Sequence, residues 1–486
     1  MRMPDPAETV LSTGMPFVLA VVFISALPFP GLFSVLEGAS LALVTMLVSM
    51  LVWYAAARAR NSPFDPTASL AIRVVMVCAG FLIVWSLLST FGAAAPLRAS
   101  RYIATLVAAF AIYFLVRSTV TRSRLTLYVD ILAVGLAVTA AISLLAYEVH
   151  SLHSIIFKGT DRAAGFFKNP NQYGMAISTT MPAVMALLLA ERQRRLLRLV
   201  CLVLMFLGLV ASGSKTNFLL AWASVFGMVL SHSWIFNTGT RRVGMLVLSL
   251  AGSVILAGLG VVAINVLNPR ALVIMAKFFS GDGEVDSLMT RGFLRAYSFD
   301  QFFADPIFGQ GAGQRIDIFY READVSHSHN VLLDYMRTLG APGLLTVSVM
   351  ICAVAIVCGV SIARALRSSS GAPAARLICL GLSTSCLSYV AANMSSDSMG
   401  PSTSPFFWLF TYLSFASRNL MSGRPEIDTG RRRLAAKRPV LTRFPYLVPQ
   451  AALEDAPAPV KKISRLGIGL WLLFGAAGLI VVVSIW

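Results

Sequence analysis

The chain has 486 residues, of which 57% are hydrophobic and only 13% charged, with a mean hydropathy of +0.75. Soluble globular chains carry about a quarter charged residues, so a soluble protein is excluded, and with it the usual meaning of a formal charge of +18. In a membrane protein such a basic excess collects in cytoplasmic loops and on tails facing anionic lipid, so anionic membrane lipids are expected partners and nucleic acid is not.

At the start of the chain, MRMPDPAETVLSTG lacks the basic opening and small-residue cleavage site of a secretory leader, so the first apolar run is expected to remain as an anchor. Apolar runs long enough to cross a ~30 Å hydrocarbon core as helices then recur along the chain. They lie near residues 15–36, 38–57, 70–91, 102–117, 127–147, 171–190, 197–212, 217–232, 243–266, 341–363, 377–394, 404–417 and 466–486. The fold class is therefore all-α, a polytopic integral membrane protein with about 12 to 13 transmembrane helices. None of the runs shows the period-two alternation of a barrel strand.

Every second connector is basic: Arg58/Arg60, Arg117/Arg122/Arg124, Arg192/Arg194/Arg195/Arg198, Arg241/Arg242 and Arg364/Arg367/Arg376. These belong in the cytoplasm by the positive-inside rule, and the N-terminus with them. The chain then divides into N-terminal transmembrane helices (1–147), a core (148–345), C-terminal transmembrane helices (346–417), a basic cytoplasmic linker (418–465) and a last transmembrane helix (466–486). The core carries two loops on the opposite face, 148–170 and 267–328, the larger expected to hold short helices. The six cysteines all lie inside apolar runs and read as packing residues.

Once topology is set, the positive-inside rule no longer accounts for Arg162, Lys168, Lys215, Arg270, Lys277, Arg291, Arg295, Arg315 and Arg321, which fall on the outer face and call for an anionic partner. Acidic neighbours could pair with some of them. Three stretches point beyond that. DRAAGFFKNPNQYG, residues 161–174, places Arg162 before a glycine turn and Asn169-Pro170-Asn171, residue types that cap and start a helix. MTRGFLRAYSFDQFFADPIFGQGAG, residues 289–313, sets Arg291 and Arg295 on one helical face before a Pro-Gly-rich turn expected to fold the loop back over a site. A guanidinium fork matches phosphate oxygens at two points, which an ammonium cannot do.

The third stretch is VSHSHNVLLDYMRTLGAPG, residues 325–343. For His327 and His329 a metal site lacks a third ligand, and a pH sensor has no other support. Two readings remain: a structural helix start, with Ser328 and Asn330 as capping candidates, and a catalytic or substrate-orienting imidazole, the preferred one. Asp334 and Arg337, three residues apart, are candidates for a simple pair at the start of the next helix.

Together, Arg-x-x-Gly-Phe with Asn-Pro-Asn, an outer-loop arginine followed by Pro306-x-x-Gly309-x-Gly311, and His329-Asn330 with nine residues to Gly340-Ala-Pro-Gly343 resemble the O-antigen ligase and Wzy-type polysaccharide polymerase family of bacterial inner membranes. The resemblance covers about residues 160–345. It implies a metal-independent glycosyltransferase, without cofactor, whose active site faces the periplasm. Its donor would be a glycan on undecaprenyl pyrophosphate. Its acceptor would be a glycan, either a lipid A core (ligase) or a lipid-linked repeat (polymerase), in O-antigen or exopolysaccharide biosynthesis. Carried onto this chain, Arg162 and either Arg291 or Arg295 would bind pyrophosphate, with Lys215 adding charge. His329 would orient or deprotonate the acceptor, and His327, Asn330, Gly340 and Gly343 would support it. Polysaccharide export proteins are candidate partners. The alternative, a transporter or flippase of lipid-linked oligosaccharide, would want charge at mid-span, whereas these charges lie at loop level.

Overall fold

The computed structural model describes residues 17–18, 20–30, 70–158, 162–237, 239–267, 285–314, 316, 318–320, 323–325, 328–368, 372–395 and 404–421. The expected spans at 38–57 and 466–486, all but the start of the 418–465 linker, and His327, Arg270, Lys277, Arg315 and Arg321 lie outside the described residues.

All ten spans expected between residues 70 and 417 are helices. In chain order the elements are α1 (Leu70–Ser89), α2 (Pro96–Thr119), α3 (Arg122–Leu145), α4 (His150–Phe157), α5 (Pro170–Ala190), α6 (Arg195–Ser212), α7 (Lys215–Phe236), α8 (Gly239–Leu267), α9 (Val285–Ala304), β1 (Ile318–Tyr320), β2 (Ala323–Val325), α10 (Val331–Arg367), α11 (Pro373–Ser395) and α12 (Ser404–Met421). Seven helices among the described residues are long and apolar enough to cross a membrane. The protein is thus an all-α multi-pass membrane protein, and among the described residues its strands are confined to a two-stranded antiparallel pair in which Ile318 faces Val325. Within the 267–328 loop the described residues include the helix α9, of 20 residues.

Helix α5 runs through the centre of the bundle, with residues Gln172 to Val184 all buried. Small residues let α11 approach it closely: a side chain on Gly381 would put its Cβ 2.2 Å from Ala186 Cβ. Pro182 interrupts α5, and the Ala183 N–H donates to Ser385 Oγ of α11 (3.1 Å). A neighbouring helix thus satisfies a backbone group that lipid could not. The cysteines are free thiols, all buried except Cys352.

The antiparallel helices gather their connectors at two ends. At one end lie the described basic connectors, and the one before α6 is tied to α3 by an ion network centred on buried Asp130 and Arg198. Asp130 of α3 accepts from Arg198 Nε (2.8 Å) and from Arg194 Nη1 (3.1 Å), and Arg198 also donates to Glu191 (3.0 Å). Arg198 is 2% exposed, and the bonds of its Nη1 to the Leu187 and Gln193 carbonyls add to its satisfaction. At the opposite end lie the residues singled out for chemistry.

Candidate active site

At that opposite end the chain entering α5 is fixed first. Asn169 is the N-cap, its side chain accepting from Gln172 N (2.9 Å), and Pro170 opens the helix with the φ it needs and no N–H to lose. Ala163 N donates to Ala211 O (3.0 Å) and Ala164 N to Ile156 O (2.9 Å), which pins the loop between the ends of α6 and α4. Arg162, half-buried, then spreads its fork over the helix ends: Nε donates to Ser212 O (2.9 Å) and Nη2 to Asn171 Oδ1 (2.8 Å). Gly213, at φ 57°, brings the α6–α7 turn against this guanidinium. Lys215 is the first residue of α7 in the same turn.

The turn is tied to α5 by Asn217, whose Nδ2 donates to Asn171 O (3.0 Å) and Ser214 Oγ (2.8 Å) while its Oδ1 accepts from Ser178 Oγ (3.2 Å). Asn217 is fully buried, and nothing in SGSKTN alone separates it from an ordinary turn asparagine.

The second group is built on the broken helix α10. Its first turn starts at Val331, ten residues before the span expected from hydropathy, because Asn330 caps it, accepting from Leu332 N (2.9 Å) and Leu333 N (3.2 Å). Asn330 Nδ2 also donates to Met394 O at the end of α11 (3.0 Å). The break comes at Gly340, with φ 66° and ψ −161°, a region open only to glycine. Such a break orphans the last carbonyls of the first half, and Pro342 brings no N–H to repair it.

The Pro306–Gln314 segment makes the repair. Gln310 N donates to Arg337 O (2.9 Å), Gly311 N to Thr338 O (3.0 Å), and Trp85 Nε1 of α1 to Leu339 O (2.9 Å). In return Ala341 N donates to Pro306 O (2.8 Å). The segment expected to fold back as a flap is docked into the helix break, and Ala312 N continues the contact to Ser89 Oγ (3.2 Å). Gly340 and Gly343 are packing positions: a Cβ on Gly343 would meet Leu339 Cβ at 2.3 Å.

Asp334 and Arg337 are buried at 5% and 1% exposure and meet at 3.5 Å, but their shorter bonds lie elsewhere. Arg337 donates to Gln310 Oε1 (2.6 Å) and Gln314 O (2.9 Å). Asp334 Oδ1 accepts from Ser328 N (2.9 Å) and Ser328 Oγ (2.7 Å). Ser328, one of the two expected capping residues, thus serves Asp334. Gln310 and Gln314, hidden in the low-information string GQGAGQ, were not singled out by the sequence.

Ser328 Oγ also meets Ser298 Oγ of α9 at 2.8 Å. At 3.6 residues per turn, Arg291, Arg295 and Ser298 share one face of α9. Leu294 and Ser298 on that face are fully buried, and both arginines are half-buried. Burial, and after it the neighbouring Arg291 guanidinium, push Arg295 below its ordinary value. The serine contact brings this face to the residue before His329. His329 itself is half-buried with a left-handed backbone, φ 53°.

The two groups are joined through α11: Asn393 Nδ2 contacts Met175 Sδ of α5 at 3.1 Å, and Met394 O holds Asn330. Arg162, Lys215, Arg291, Arg295, His329 and Asn330 therefore share one end of the bundle, opposite the basic connectors.

No curated protein matches the chain. Residues 200–348 match the family described as O-antigen ligase, a range that takes in Lys215, Arg291, Arg295, His329, Asn330, Gly340 and Gly343 and leaves Arg162 outside. The chain is a multi-pass membrane protein whose residues 200–348 are similar to the O-antigen ligase family.

Proposed function

We propose that the protein is a metal-independent membrane glycosyltransferase that moves a glycan from undecaprenyl pyrophosphate to an acceptor hydroxyl, as a ligase or a polymerase. The observation that carries this reading is the gathering of Arg162, Arg291, Arg295 and His329 at the end of the bundle opposite the basic connectors. Those connectors read as cytoplasmic, which supports a periplasmic face for the site, and the likeness to the O-antigen ligase family supports the bacterial inner membrane.

In the reaction the acceptor oxygen forms a bond to the anomeric carbon as the bond to the pyrophosphate oxygen breaks, and the acceptor proton leaves with a base. Charge builds on the departing pyrophosphate, and guanidiniums held where water is scarce stabilise it more than in bulk water. His329 takes the acceptor proton or orients that hydroxyl, a role typically worth ~10² to 10⁴ in rate. A transporter reading gains nothing from Asp130, a buried acid at the other end, because Arg194 and Arg198 neutralise it.

The test is surface polymer in cells whose only copy carries His329→Ala, at matched membrane abundance, with lipid-linked glycan extracted and sized. Loss of display with glycan accumulating on its carrier supports the transferase. Accumulated single repeats identify a polymerase, and long chains a ligase. Unchanged display removes His329 from the chemistry.

A further inference from the structure

His329 sits between two residues that are each pinned. On one side Asn330 caps α10 and reaches Met394 O. On the other, Ser328 gives both its N–H and its hydroxyl to Asp334 Oδ1, at 2.9 and 2.7 Å, and touches Ser298 Oγ at 2.8 Å. Ser298, Ser328 and Asp334 are 0%, 3% and 5% exposed, so water does not compete for these bonds. A left-handed backbone is costly for a residue with a Cβ and persists only where the surroundings over-determine it.

Capping does not explain Asp334, because Asn330 already caps the helix. Pairing with Arg337 accounts for its charge but not for its placement, since that contact is the longest of the set at 3.5 Å, the Arg337 fork also donates to Gln310 and Gln314, and both Ser328 bonds are shorter. Its second oxygen, Oδ2, is buried without a hydrogen-bond partner among the described residues, a cost that stabilising the fold alone does not require. The positive end of α10 makes the first turn a favourable place for such a carboxylate.

We propose that Asp334 is a positioning residue. Its carboxylate fixes Ser328, and through Ser328 it sets both the backbone pose of His329 and the approach of α9, which carries Arg291 and Arg295. The proposal rests on the transferase reading above. Asp334 touches no reacting atom and acts through the serine, so a neutral side chain with an oxygen in the same place should serve nearly as well.

The experiment measures transfer in proteoliposomes of full-length protein, with donor extracted from the His329→Ala cells. Asp334→Ala should lower kcat about 100-fold, the scale of an ångström-sized misplacement, while donor KM changes less than about 3-fold. Asp334→Asn, whose amide oxygen can accept both Ser328 bonds, should recover to within about 10-fold of wild type. Should Asp334→Ala fail to accumulate, Ser328→Ala provides the second arm: it keeps the carboxylate and should lose about 10-fold in kcat. Wild-type kcat in Asp334→Ala or Ser328→Ala overturns the proposal, as does an Asp334→Asn protein as inactive as Asp334→Ala, since charge would then be what matters. The two failures are separable. Absence of transfer by the wild-type protein in proteoliposomes sinks the transferase reading itself, whereas an active wild type beside a fully active Asp334→Ala sinks only the positioning role.

Discussion

Gly340 lies directly against Ile307: a Cβ at residue 340 would stand 2.2 Å from the Ile307 carbonyl oxygen and 2.7 Å from that of Pro306. This contact is what lets the Pro306–Gln314 segment enter the break in α10 and satisfy its carbonyls. Gly340→Ala therefore meets two obstacles, a backbone conformation worth about 1–3 kcal/mol of strain and a collision with backbone that cannot rotate away. The expected outcome is a lower thermal midpoint in detergent and loss of transfer. An unchanged midpoint would show that the segment is not held as described.

Arg162 uses its fork at two angles, toward Ser212 O at 2.9 Å and Asn171 Oδ1 at 2.8 Å. A lysine carries the same charge without that geometry. Arg162→Lys should accumulate normally in the membrane and lose at least about 10-fold in transfer, on the scale of one charged hydrogen bond lost. Near-normal transfer would mean that only the charge at this position is used.

At the other end of the bundle, Asp130 and Glu191 are the carboxylates that make a 2% exposed Arg198 tolerable, Asp130 the nearer at 2.8 Å. Removing one member of such a pair costs about 3–5 kcal/mol, whereas replacing the pair by apolar residues of similar volume is often neutral. Asp130→Ala should thus sharply reduce the folded protein recovered from membranes, and Asp130→Ala with Arg198→Met should recover much of it. Size-exclusion profiles of the solubilised proteins read both. If the double variant is no better than the single, the arginine has a role beyond pairing.

Asn330 joins two helices with one side chain. Asn330→Ala forfeits the cap, typically about 1 kcal/mol, and also the bond to Met394 O that holds the end of α11. Asn330→Asp keeps a capping oxygen, loses the amide donor and adds a negative charge that the helix start favours. If the tie to α11 matters for function, transfer should fall in both variants while thermal stability falls mainly in the alanine form.

The sequence by itself determined the membrane class, the alternation of basic connectors and the positions of ten helices, because hydropathy over a span and the charge of its flanks act locally and repeat. It also marked Asn169-Pro170 and Asn330 as helix starts, since a cap is a matter of a few adjacent residues. Only the tertiary structure decided that Pro306 to Gln314 fills a helix break, that Asn217 locks Asn171 and that Asp334 serves Ser328. In each case donor and acceptor belong to different elements or sit across a helix start, and short polar side chains look alike in sequence until packing removes the water that would otherwise satisfy them.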